Sequence, residues 1–256
     1  MIILAIDTSD TYGSVAVRRD GKLLSFRLHS HGEDYSSWLL PAVSSALSDA
    51  NATLKRVDVL GACTGPGSFT GIRVGLTTAK AWSELYATRI VGISRLEALA
   101  QNGIYSARGA ADPLPPDPHS NTATPKFLLA SYNAQRGQDF AALYRRDAGT
   151  LTPVAPEMVA TPDEILHFVS LHAADAPVEW VQLGDDTIST SPGWPSRAAL
   201  GDVLTSSSLN LAATIAQIAE ERSAKNQFTD VLQLDANYVR RSDAEIFWKG
   251  PAKRVP

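Results

Sequence analysis

Apolar positions along the chain follow two rhythms. Short continuous runs at 2–6, 57–64, 90–93 and 178–183 predict strands buried on both faces. Further strands are predicted at 14–17, 22–28, 127–132 and 140–144, with another near 151–159. Helical spacing governs 33–50, where Leu39, Leu40, Val43, Ala46 and Leu47 recur every three or four residues. Pro41 inside that stretch predicts a kink or a later start. The segment 72–87 is different. Ile72, Val74, Gly75, Leu76, Ala79, Ala81, Trp82 and Leu85 leave almost no polar face, which predicts a helix buried on two sides. One side belongs to its own sheet; the other belongs to a partner chain or to a later domain. Ser94 caps a helix at 95–101. Thr161-Pro162-Asp163-Glu164 opens another, with proline and acids in the first turn. A third runs over 210–222, with Leu211, Ile215, Ile218 and Ala219 on one side, and 189–208 is expected to be loop.

Asp20-Gly21 is a hairpin signal, so the chain opens with a three-stranded antiparallel meander. The order β-β-β-α-β-α-β-α that follows predicts an α/β domain and matches the repeating half of actin-like ATPases and sugar kinases. Pro113, Pro115, Pro116, Pro118 and Pro125 then lie among small and polar residues. They divide the chain into a lobe at 1–102, a Pro-rich insertion at 103–126, and a smaller lobe at 127–256 that copies the first with fewer strands.

Composition narrows the possible functions. The chain has 256 residues, 44% hydrophobic and 20% charged, with a net charge of −4. A chain that grips nucleic acid unaided needs a basic face to neutralise phosphates, and this balance argues against one. The single cysteine, Cys63, excludes internal disulfides and multi-cysteine metal sites, and its place on an apolar strand reads as a small buried hydrophobe. The opening run has no basic residues before it and stops at Asp7, and no apolar run approaches the ~20 residues a membrane span needs. The expected compartment is the cytoplasm, with no membrane partner.

Two turns carry candidate chemistry. Four glycines and Pro66 fall within 65–75, between a strand and a helix. Glycine permits close backbone approach, and a helix N-terminus presents free N–H groups, so this is either an anion cradle or a packing device. It is not a P-loop, because Gly71 is followed by Ile72-Arg73. The other turn is Asp7-Thr8-Ser9, at the end of a buried strand. Its carboxylate either holds a metal-bound water or a nucleotide phosphate, or simply caps the turn. His29 and His31 read as structural or solvated; His167 and His172, five apart, are not a ligand pair, and no HExxH occurs. The tail 239–256 holds Arg240, Arg241, Lys249, Lys253 and Arg254 against Asp243 and Glu245, and reads as a solvated tail or a minor RNA or partner contact.

Three segments together resemble the TsaB (YeaZ) family: Ile3-Leu4-Ala5-Ile6-Asp7-Thr8-Ser9 with Ser14-Val15-Ala16, the glycine segment from Thr64 to Gly75, and Gly92-Ile93-Ser94-Arg95-Leu96-Glu97-Ala98-Leu99-Ala100. Asn133-Ala134-Gln135-Arg136-Gly137 and Asn237-Tyr238-Val239-Arg240 match more loosely. The resemblance implies an actin-like ATPase (ASKHA, ribonuclease H-like) fold of two related lobes, the second reduced. It implies a non-catalytic subunit that holds and activates a catalytic paralogue, TsaD, in making threonylcarbamoyladenosine beside the anticodon of tRNAs, with a TsaE-type ATPase resetting the complex and a homodimer when alone. ATP and metal are then expected on partner subunits, none on this chain, with tRNA contacted only indirectly.

Arg95 and Leu99 stand where the paralogue has two metal-ligating histidines, and neither side chain can ligate a metal. Asp7, Thr8, Ser9, Gly65 and Gly67 become vestigial phosphate-loop residues. Leu40, Val43 and Leu47 are expected to cover the sheet, leaving Trp38, Ala42, Ser45, Gly75, Thr78, Ala79 and Trp82 for a partner interface. In the 133–138 stretch, Asn133, Gln135 and Gln138 replace the family's acids and first arginine. The alternative is an independent ATPase or small-molecule kinase. It lacks a convincing second phosphate loop, the nearest stretch being Leu183-Gly184-Asp185-Asp186-Thr187.

Overall fold

The computed structural model describes residues 1–30, 32–106, 125–147, 150–184 and 186–240. Most of the Pro-rich insertion, His31, Asp185 and the basic tail from 241 lie outside the described residues. The first sheet is built from β1 (Ile2–Asp7), β2 (Ser14–Arg19), β3 (Lys22–Leu28), β4 (Val59–Cys63) and β5 (Arg89–Ile93), in the order β3-β2-β1-β4-β5. The meander is antiparallel; β1–β4 and β4–β5 are parallel.

Side chains alternate between faces along a strand, and both faces of this sheet are covered. Leu4, Ile6, Val15, Val17 and Leu60 pack under α1 (Tyr35–Asp49) and α2 (Phe69–Tyr86). Ile3, Ala5, Ala16, Val91 and Ile93 pack under α6 (Leu211–Ala224). That double burial is why β1 reads as an unbroken apolar run.

The second sheet holds β6 (Phe127–Asn133), β7 (Asp139–Asp147), β8 (Thr150–Pro153), β10 (Val178–Leu183) and β11 (Val203–Ser206), in the order β11-β10-β6-β7-β8, with β9 (Met158–Ala160) also on β7. Leu96, Leu99 and Ala100 of α3 (Arg95–Ser106) cover its inner face, on Leu128, Ala130, Tyr132 and Val181. Ile165, Leu166 and Val169 of α4 (Pro162–Ala173) cover the outer face, on Leu129, Leu143 and Trp180. The layers run α1 and α2, first sheet, α6 with α3, second sheet, α4. This is the two-lobed, ribonuclease H-like order of actin-like proteins.

Several expectations are corrected. The second sheet has six strands, so it is not the poorer of the two. Its extra strands are three or four residues long with half-exposed positions, too short to leave a period in the sequence. The predicted strand at 151–159 is two strands, β8 and β9. The predicted loop at 189–208 contains β11 and a short helix, α5 (Trp194–Ala199). A buried charge network shapes that region: Asp202 accepts from Arg197 Nε at 2.8 Å and Trp180 Nε1 at 2.6 Å.

The lobe boundary in sequence is not the boundary in space. α6 lies in the C-terminal half yet packs on the first sheet, while α3 packs on the second. Pro41 sits inside α1 without ending it. Leu39 rather than Leu40 faces the sheet; Leu40 is 56% exposed. Of the two covers expected for the second side of α2, no later domain supplies one, since Arg73, Thr77, Ala81 and Leu85 are exposed within the chain. Among the described residues, no helix is long and apolar enough to cross a membrane.

Candidate functional site

The turn after β1 meets the start of α3 at the junction of the lobes. Asp7 and Arg95 are both fully buried, with Arg95 Nε 3.2 Å from Asp7 Oδ2. Arg95 Nη1 donates to Asp10 Oδ2 at 2.7 Å and Nη2 donates to the Tyr12 carbonyl at 3.3 Å. The guanidinium also lies over the Tyr132 ring, 4.6 Å from its centroid. Burial alone would pull the guanidinium's pKa down, but the Asp7 and Asp10 carboxylates hold it well above its ordinary value. The other Asp7 oxygen accepts from the Ser9 amide at 3.0 Å and from the Ser9 hydroxyl. Cys63 Sγ lies 3.3 Å from that hydroxyl; burial, reinforced by the Asp7 charge, pushes its thiol far up.

The glycine segment is a close-packing device. Ser68 N donates to the Ser9 carbonyl at 2.6 Å, and Thr8 Oγ1 donates to the Gly71 carbonyl at 2.7 Å. A Cβ at Gly67 would stand 1.9 Å from the Ser9 carbonyl oxygen, and one at Gly71 2.1 Å from that of Thr8. At Gly75 it would stand 2.3 Å from Thr8 Oγ1. Gly65 has φ of +95°, a backbone state that side chains disfavour. The first turns of α2 are thus drawn down onto Thr8 and Ser9, and Ser68 Oγ caps the helix through Gly71 N.

Both Asp7 oxygens are engaged by the protein's own groups, Arg95 on one and Ser9 on the other. Among the described residues, no three His, Cys, Asp or Glu side chains gather as a metal site. A metal at Asp7 does not fit these residues, because its oxygens are taken by Arg95 and Ser9.

A cavity of about 720 Å³ opens beside this junction, between the lobes. Phe69, Tyr132, Phe140, Arg136, Tyr238 and Arg240 are among its lining residues. Tyr132 closes its inner end, donating to the Pro66 carbonyl at 2.7 Å.

The expected partner interface divides in two. Ala42 and Ala79 are 6% and 0% exposed, Gly75 is buried against Thr8, and all three face the sheet. They cannot also meet a partner, which corrects that part of the expectation. Trp38, Thr78 and Trp82 are half-buried on the outer side, and Ser45 is exposed but accepts from Arg27 Nη2 at 2.7 Å. Leu40, Val74 and Leu85 lie on the same outer side, the last 71% exposed. A groove of about 390 Å³ runs between the helices, lined by Tyr35, Leu40, Arg73, Val74 and Thr78 among others.

The fold and this junction define a two-lobed actin-like protein in which a buried Arg95–Asp7 pair joins the lobes. A family model described as "TsaD: tRNA N6-adenosine threonylcarbamoyltransferase" matches residues 30–179. The tRNA threonylcarbamoyladenosine biosynthesis protein TsaB of Bacillus subtilis is 29% identical over 97% of this chain and 98% of its own length. Its Escherichia coli namesake is 27% identical over 78% of this chain and 75% of its own. The solved structure of YeaZ from Pseudomonas aeruginosa superimposes with a TM-score of 0.68, covering 93% of this chain and 99% of that one at 23% identity. The chain belongs to the family that this model describes, and within it to the TsaB (YeaZ) group.

Proposed function

We propose that this chain is a non-catalytic scaffold and activator in tRNA threonylcarbamoyladenosine synthesis. On this reading it holds a TsaD-type subunit, which transfers the threonylcarbamoyl group to N6 of the adenosine beside the anticodon of tRNAs that read codons starting with A. The names of its relatives support the pathway. The observation that carries the non-catalytic part is the Arg95–Asp7 pair: a guanidinium from the metal-ligand position of the paralogue neutralises the carboxylate a phosphotransferase would use. ATP and metal then belong to partner subunits. A TsaE-type ATPase acts through the complex, and tRNA is reached through the partner, because a chain of net charge −4 neutralises few phosphates. The place of work is the cytoplasm, where tRNA is modified.

The docking face is the outer side of α1 and α2. Leu40, Val74, Thr78, Trp82 and Leu85 offer apolar area that the chain itself leaves uncovered. Aromatic anchors within such a face commonly dominate binding. The same face serves a second copy when the chain is alone, so self-pairing and capture of the TsaD-type subunit compete.

Co-purification with the TsaD-type protein of the same cell, with and without nucleotide, tests the scaffold role. Threonylcarbamoyl transfer should need both chains. A second reading, an independent ATPase or small-molecule kinase, is favoured by the 720 Å³ cavity between the lobes. ATP turnover by the purified chain alone, abolished by Asp7→Ala, would replace the scaffold reading with that one.

A further inference from the structure

After α6 the chain has no helix or strand as far as Arg240, yet it is tied down along its length. Thr229 N donates to the Ile90 carbonyl at 2.8 Å, and Gly92 N donates to Thr229 Oγ1 at 2.9 Å. Leu234 is 2% exposed and belongs to the core beneath α1 and α2. Asn237 N donates to the Thr64 carbonyl at 2.8 Å, just before the glycine turn, and its side chain donates to Glu157 Oε2 at 2.5 Å. Arg240 ends the run on the other lobe, donating to the Ala134 carbonyl at 2.6 Å and to Gln138 Oε1 at 2.7 Å. Residues 228–240 therefore cross from the β5 edge of the first sheet to the β6–β7 turn of the second. Asn237, Tyr238, Val239 and Arg240 form one wall of the interlobe cavity.

One contact of this strap reaches beyond the cleft. The Tyr238 ring packs on Phe69, centroids 4.9 Å apart, at the first residue of α2. Arg73, one turn further along, lies over Phe69 at 3.6 Å and donates from Nε to the Tyr238 hydroxyl at 3.0 Å. Arg73 also lines the groove between α1 and α2. The strap thus adds a second hold on the Arg73 guanidinium, the Tyr238 hydroxyl, to the nearer Phe69 ring that α2 itself supplies. With Tyr238 seated, the cation is parked on aromatic rings at the cleft edge. Without it, Arg73 keeps only the Phe69 ring and is freer to turn into the apolar groove, where a partner would have to desolvate it.

We propose that residues 228–240 are a regulatory strap, coupling the wall of the interlobe cleft to the partner-binding competence of the α1–α2 face through the Tyr238–Phe69–Arg73 stack. The proposal rests on the reading of that face as the docking surface. Strap seated means the cleft is walled on one side and Arg73 is held away from the groove; strap released means the hairpin 133–138 is loosened and the groove is more open to the Arg73 charge. Coupling free energies of this kind commonly change an affinity by about 5- to 150-fold.

The test uses the full chain with Tyr238→Ala and Tyr238→Phe. Tyr238 is 41% exposed and lines the cleft, not the groove, so its loss opens no core cavity and removes no direct partner contact. Hydrogen exchange is followed over 72–78 in α2 and over 133–138, and capture of the TsaD-type subunit is titrated. Tyr238→Ala should speed exchange in both segments and weaken capture by about fivefold or more. Tyr238→Phe, which keeps the ring stack, should stay closer to the unmodified chain. Unchanged exchange over 72–78 in Tyr238→Ala, or unchanged capture despite faster exchange, overturns the coupling. If the unmodified chain captures no such subunit, the docking reading fails, and the exchange over 72–78 and 133–138 still decides whether the strap links cleft and helix.

Discussion

Arg95 Nε stands 3.2 Å from Asp7 Oδ2, and neither side chain is open to water. A buried carboxylate so held has its counter-ion built in. The guanidinium is shared with Asp10 at 2.7 Å, so it joins the first turn of the chain to the helix that covers the second sheet. The same guanidinium therefore neutralises the turn after β1 and ties the lobes together.

Removing the cation should be costly. Arg95→Ala leaves Asp7 buried without its partner, and breaking a buried pair this way costs about 3–5 kcal/mol. Urea titration should show that loss, with the unfolding midpoint shifted down. Gain of ATP hydrolysis by the variant would show that Arg95 was the only block, and would contradict the account of the glycine turn as packing.

That account has its own check. Gly75→Ala places a methyl 2.3 Å from Thr8 Oγ1 but 3.5 Å from Thr8 Cβ. The single change should destabilise by about 1–3 kcal/mol, as overpacking does. Adding Thr8→Ala removes the clashing oxygen, so the double variant should cost less than the sum of the singles. At Gly71 the obstacle is the Thr8 carbonyl, and the same second change should give no rescue.

The partner face can be told from the core by two glutamates. Leu40→Glu, at a position 56% exposed, should leave the fold intact and abolish self-pairing and capture of the TsaD-type subunit. Ala79→Glu, at 0% exposure, should unfold the chain because the charge enters the core. Light scattering and circular dichroism separate the two outcomes. A folded dimer from Leu40→Glu that still captures the subunit would move the interface elsewhere.

Cys63 should be inert in the native state. Its thiol is buried and pushed up by that burial, so little thiolate forms at neutral pH. Iodoacetamide should label it only after denaturant is added; rapid native labelling would contradict its placement.

Glu157 should leave a signature in the pH dependence of stability. Burial raises its pKa despite hydrogen bonds from Ser94 and Asn237, which pull it down. The folded chain then holds this proton more tightly than the unfolded chain. The sign follows: the contribution is full below the ordinary glutamate value of 4.5 and is lost as pH rises through the raised value. Glu157→Gln should flatten that decline in denaturation profiles taken across the window. An equal slope in both proteins would show that Glu157 is not its source.

Much of this protein was set by sequence alone, wherever the deciding forces are local or periodic. The unbroken apolar run of β1 fixed a strand covered on both faces, Ser94 and Thr161 marked helix starts, and the glycine segment carried the family resemblance. The tertiary structure decided the rest. Leu39 stands four before Val43 and Leu40 three before it, so both fit the helical period and it could not say which meets the sheet; the packing of α1 did. The short strands β8, β9 and β11 gain their partners from a neighbouring strand, not from a pattern of their own. The place of α6 under the first sheet, and of Arg95 beside a carboxylate 88 positions earlier, depend on chain closure over long separations. Local propensity carries no trace of such contacts, because their free energy arises only when both lobes have assembled.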